Sequence, residues 1–132
     1  MENTNNILPY DGVTPETLFN EIRQLSNEIE ACGKGLRELG IQAATAAADY
    51  ENAKNQTLIA LFEDEAERNI KRTEAQRAAI YRNAHKDLRL AKMLTANALK
   101  SESELLKALM SKLSGLQTQR SIMQAEMEFS KQ

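Results

Sequence analysis

From Ile41 to Ser114 the chain contains neither glycine nor proline, 74 consecutive residues without either of the two strongest backbone breakers. The same stretch has no alternating β-branched runs and no Asn-Gly or Asp-Gly pair to turn a hairpin. Helix is the structure left to it, and the predicted fold class is all-α. Within and beyond this stretch, Leu88, Ala91, Leu94, Ala98, Leu105, Leu109, Leu113, Leu116, Met123 and Met127 recur at helical spacing. They predict an apolar stripe on one long C-terminal helix, interrupted at one seam position by Arg120, which has to snorkel or find an acidic partner.

Three helices are predicted, at about 15–39, 43–63 and 73–128. Residues 1–13 carry several Asn, Pro9 and Gly12 without periodicity, and read as a flexible lead-in to a single helical domain over 14–132. Thr14-Pro15-Glu16 supplies an N-cap hydroxyl, a proline at the first helical position and an early acid, which together start a helix. Leu18, Ile22, Leu25, Ile29, Cys32, Leu36 and Leu39 then alternate steps of four and three, a heptad seam. Gly33 and Gly35 fit close helix approach or a bend, and Gly40 reads as a left-handed helix end. The alanine-rich second helix presents Ala43, Ala46, Ala47, Tyr50, Ala53, Thr57 and Leu61. Between Glu63 and Arg72 the sequence EDEAERNIKR loses most of its apolar pattern, and a turn is placed there, with Glu63, Asp64, Glu65 and Glu67 as its solvated acids. The architecture expected is an elongated three-helix antiparallel hairpin, a coiled-coil-like bundle. Its long C-terminal helix offers more stripe than the first two helices can cover, which predicts a homo-oligomer or an unidentified protein partner.

Charge is partitioned. Residues 1–67 hold 4 Lys/Arg and 13 Asp/Glu, whereas residues 68–92 hold 8 Lys/Arg and 2 Asp/Glu, although the chain as a whole is at −2. On one continuous helix, Arg68, Lys71, Arg72, Arg82, Lys86 and Arg89 project within roughly 100° of one another. Two uses are open to this basic face. It can track phosphates without reading sequence, making nucleic acid a candidate partner and these six residues the candidate contacts. Or it can pair with the acidic half, at Glu16, Glu21, Glu28, Glu30 or the EDEAE run.

Other chemistries lack parts. Cys32 is the only cysteine and reads as a small core residue, so neither an internal disulfide nor a thiolate metal site can form. His85, the only histidine, stands between Arg82 and Lys86, which disfavour a cation, and no metal or cofactor is expected. No phosphate-binding glycine loop, nucleophile elbow or triad can be assembled, so no enzyme is expected. Met93, Met110, Met123 and Met127 read as core filler. No apolar run is long enough to span a bilayer and the N-terminus lacks a signal peptide, so the expected location is cytoplasmic and off the membrane.

The order YENAKNQTLIALFEDEA, a polar break, AAIYRNAHKDLRLAK and ELLKALMSKLSGLQTQRSIMQAEM resembles small helical phage and prophage proteins of unknown biochemical role, often encoded near single-strand-annealing recombinases. The resemblance covers Tyr50 to Met127. It implies a phage accessory protein in recombination or counter-defence, acting in the cytoplasm of a bacterial host, and assigns no site residues. The function expected is therefore a non-enzymatic accessory protein that works through helical self-assembly and protein–protein contact, with Leu105, Leu109, Leu113, Leu116, Met123 and Met127 as candidate interface. The alternative is the sequence-independent nucleic-acid binder.

Overall fold

A computed structural model describes residues 14–131. The protein is all-α, with helix α1 at Pro15–Arg68, α2 at Glu74–Ala84 and α3 at Lys86–Lys131. The lead-in expected at 1–13 lies outside the described residues. The described residues group into two compact units. In the first, residues 14–34 of the α1 side pack on 103–131 of α3; in the second, residues 35–68 of α1 pack with α2 and 86–102 of α3.

The start of α1 forms as its sequence dictates. The Thr17 backbone N–H donates to Thr14 Oγ1 at 3.1 Å, and the Thr14 N–H donates to Thr17 Oγ1 at 2.9 Å, a reciprocal cap. Gly40 does not end the helix, however, and the helices placed at 15–39 and 43–63 are one. No glycine among the described residues has a positive φ, and at Gly40 the heptad phase explains why. Leu36, Leu39, Ala43, Ala46, Tyr50, Ala53 and Thr57 continue the four-three alternation through Gly40 without a skip, and all are buried or half-buried. A break would sacrifice that seam, while a helical glycine costs only about 1 kcal/mol.

The end of α1 comes at Asn69, the one non-glycine residue with positive φ (53°) among those described. The Ile70 N–H reaches back to the Glu65 carbonyl at 3.0 Å, the six-to-one bond of a Schellman ending. The turn falls inside the stretch expected, yet the acids assigned to it sit on α1's last turns. Thr73 then opens α2 with a full capping box, its hydroxyl accepting from the Gln76 N–H and Gln76 Oε1 accepting from the Thr73 N–H. The last helix, expected to run unbroken over 73–128, is interrupted at His85 (φ −119°, ψ 37°), after which α3 passes through Gly115 without a break.

In the first unit, Leu18, Ile22 and Met123 form the buried cluster, with Leu113 and Leu116 packed on it. The pairing of Leu18 with Met123 and of Leu25 with Leu116 runs antiparallel. In the second, Lys92 over Tyr50 and His85 beside Thr57 again set α3 antiparallel to α1. The inward residues of α3 are Leu88, Lys92, Thr95, Leu99, Glu102, Ser103, Leu106, Leu109, Leu113, Leu116, Gln119 and Met123. Leu94 (59% exposed) and Leu105 (49%), which the sequence stripe included, point outward. Met93, Met110 and Met127 are likewise exposed, and only Met123 of the four fills core. No described helix is long and apolar enough to cross a membrane.

Candidate functional site

The polar chemistry of the second unit is concentrated where α1 turns into α2. Glu65, almost fully buried, accepts a fork from Arg77 (Nη2 to Oε1 at 2.7 Å, Nε to Oε2 at 3.0 Å) and a bond from the Arg72 backbone N–H at 3.1 Å. Arg77 holds the Glu65 carboxyl down to about 2, against burial, which pushes it up, and the Arg72 N–H reinforces the effect. Glu65 in turn raises the Arg77 guanidinium above its usual range. Asp64 takes Arg72 Nη2 at 2.7 Å and Arg68 at 3.3 Å, and its carboxyl is lowered first by the Arg72 bond. The Arg72 guanidinium also donates to the Leu61 carbonyl. This network closes the turn and leaves Glu65 and Arg72 occupied.

Alongside it, α1 and α2 enclose an open groove of about 530 Å³. Lys54, Leu58 and Phe62 line it from α1, and Glu74, Ala75, Arg77, Ala78, Tyr81 and Arg82 from α2. On α1, Lys54, Leu58 and Phe62 recur at steps of four, so they share a face; on α2, Glu74, Ala78 and Arg82 do the same, with Tyr81 beside them. Cations lie over both rings. Lys54 Nζ is 5.3 Å from the Tyr81 centroid and Arg77 is 4.5 Å from that of Phe62.

The six residues predicted as one basic face are separated by the structure. Arg72 is turned inward and paired with Asp64 and Glu65, and Arg68 is paired with Asp64, so the EDEAE run takes both. Lys71, Arg82, Lys86 and Arg89 are exposed and make no side-chain ion pair among the described residues, but His85 divides Arg82 on α2 from Lys86 and Arg89 on α3. Of these six, only Arg82 lines the groove. Sequence reasoning missed Lys54, Phe62, Arg77 and Tyr81. Their signal is an aromatic residue on each of two facing helices with a cation on the opposite helix, a correspondence visible only once the helix pairing is known.

The six candidate interface residues also divide. Leu113, Leu116 and Met123 pack inside the first unit, and Leu109 is half-buried on the same seam. Leu105 and Met127 remain about half exposed. Arg120 is exposed at the rim of a small apolar notch with Pro15, Leu18, Phe19, Met123, Gln124 and Met127, which shelters its stem and leaves the charge in water. Cys32 is half-buried on the α1 seam. His85 hydrogen-bonds Thr57, holding the α2–α3 junction against α1. No group of three or more His, Cys, Asp or Glu among the described residues is placed to hold a metal ion. No family model, curated protein or solved structure matches this chain.

Proposed function

We propose that the protein is a non-enzymatic accessory protein of the phage type, working through assembly with a second copy of itself along the outer face of α3. The observation that carries the reading is a second four-three series on the side of α3 opposite its buried seam. Glu104, Ala108, Ser111, Gly115, Thr118, Ile122, Ala125 and Phe129 follow one another in steps of four and three, and all are exposed. One of the eight is charged. Solvent-facing helix surfaces are ordinarily polar and charged, and an uncharged series at heptad spacing is the pattern of a helix–helix seam.

The series also indicates how a second copy lies on it. Ala108, Ser111 and Gly115 in its first half are small, and its later positions hold Ile122 (47% exposed) and Phe129 (79%). Antiparallel pairing about an axis between Gly115 and Thr118 sets Ile122 against Ser111 of the partner subunit, large against small, with Ala125 against Ala108 and Phe129 falling at Glu104. Parallel pairing would stack the bulky residues and leave the small ones apart. Charge agrees, because Lys107 and Glu128 flank the two ends of the series on one side. In an antiparallel pair each meets the other's opposite, whereas a parallel pair would bring like charges together. Thr118 donates its hydroxyl to the Ser114 carbonyl at 3.0 Å, so covering it strands no donor. The first unit adds a motive, being only two helices thick.

Sedimentation velocity across micromolar concentrations tests the reading. A dimer is expected, dissociated by Ile122→Asp, weakened by Lys107→Glu and restored by Lys107→Glu with Glu128→Lys. A monomer at all concentrations, or a dimer indifferent to Ile122→Asp, refutes it.

A further inference from the structure

We propose that the groove between α1 and α2 binds a nucleotide unit, one base with its phosphate, taken either as a free nucleotide or from a single strand. At about 530 Å³ the groove falls within the roughly 300–1,000 Å³ of small-ligand sites. Its apolar lining is Leu58, Ala75 and Ala78, and Phe62 stands half exposed (51%) beside Tyr81. A flat ring laid against them removes apolar surface from water and adds to a lining in which cations already lie over both aromatic rings.

The cations have different duties. Arg77 is committed to Glu65 and forms wall. Arg82 is exposed in the same groove and pairs with no acid among the described residues, and Lys54, besides lying over Tyr81, makes one 3.9 Å approach to the half-exposed Glu51. These two are available to an anion that enters with the ring. Glu74 lines the groove as well and opposes a heavily charged ligand, so a phosphodiester or monophosphate suits the site better than a triphosphate. A ring carrying one phosphate group satisfies the apolar lining and Arg82 together, and inorganic phosphate satisfies only the second.

Fluorescence anisotropy with a labelled oligothymidylate of about twelve nucleotides, near 50 mM salt, tests the proposal on the full-length protein. Thymidine monophosphate and inorganic phosphate serve as competitors, and circular dichroism confirms helicity. Arg82→Glu, Tyr81→Ala and the exposed Phe62→Ala should each weaken binding about tenfold or more, while Lys100→Glu, outside the groove, changes it less than about twofold. Competition by the monophosphate makes a free nucleotide sufficient, and its failure while the oligonucleotide binds makes the strand the source; both support the site. Absence of binding to either overturns the proposal. So does binding that Arg82→Glu and Lys100→Glu weaken equally while Tyr81→Ala and Phe62→Ala leave it intact, or phosphate that competes as well as the monophosphate.

Discussion

Alanine at position 40 separates two accounts of the chain by the sign of one number. In the structure Gly40 is an interior residue of α1 with helical backbone, and a Cβ built on it meets nothing within 4 Å. Gly40→Ala should therefore stabilise the fold by about 1 kcal/mol, the difference in helix propensity, with no steric charge against it. If Gly40 instead closed a shorter helix in left-handed conformation, the same alanine would cost roughly 1–2 kcal/mol. The two accounts differ by some 2–3 kcal/mol, far beyond measurement error. For a chain of this size each kcal/mol moves the melting temperature roughly 3–5 °C. The assay is helical ellipticity at 222 nm followed through thermal and urea unfolding, at one fixed protein concentration so that any assembly contributes equally. Asn69→Ala provides the mirror-image control. With φ of 53° that residue is where α1 truly ends, and alanine there should destabilise by about 1 kcal/mol. A rise at 40 and a fall at 69 place the end of the helix at Asn69. A fall in Tm for Gly40→Ala would refute the continuous α1 and restore the turn that its sequence suggests.

Adjacent leucines on α3 give a test of register. Leu106 is half-buried on the seam and Leu105 is half exposed beside the outer face; Leu106→Ala should cost about 2 kcal/mol in urea unfolding and Leu105→Ala under about 0.5 in a monomeric background such as Ile122→Asp. Equal costs would mean that the seam is misplaced. The Glu65 carboxyl, ordinarily titrating near 4.5 and held near 2 in the fold, makes stability pH-dependent with a definite sign. Its contribution is fully present above about pH 4.5 and is lost as pH falls toward 2, because the unfolded chain takes up that proton first. Urea midpoints should therefore fall through this window in the parent and fall less in Glu65→Gln, which starts lower; parallel profiles would show that Glu65 is not the group responsible.

Much of the fold is legible because helices are encoded locally. The Thr14 cap, a helix start near Thr73, the seam from Leu18 to Leu39, and a turn in the polar stretch before Arg72 are all read from residues within a few positions of one another. The errors share a cause as well. Gly40 has the composition of a helix end, but composition is overruled when the seam on either side keeps phase. Asn69 was passed over because asparagine is only the second choice for a left-handed cap, and nothing in its immediate neighbours raises its claim. The interruption at His85 has no breaker at all; the residue there hydrogen-bonds Thr57, twenty-eight positions away.

The stripe on α3 was misread for a subtler reason, and it bears directly on function. Leucine occurs on two sides of this helix, so a list of apolar positions with helical spacing can be drawn through Leu94 and Leu105 as easily as through Leu99 and Leu106. What distinguishes the sides is the partner. Residues on α1 claim Leu106, Leu109, Leu113 and Leu116, in steps that match α1's own seam, and this leaves the outer series uncovered. The same logic dissolved the basic face, since Arg72 and Arg68 met acids brought to them by the turn while Arg82 did not. Surplus therefore matters more than abundance in locating function on such a chain. An apolar or charged side chain that the fold has already answered contributes to stability, and the residues it leaves unanswered, Ile122 and Phe129 on one unit and Phe62 and Arg82 on the other, are where a second copy or a ligand has something to gain.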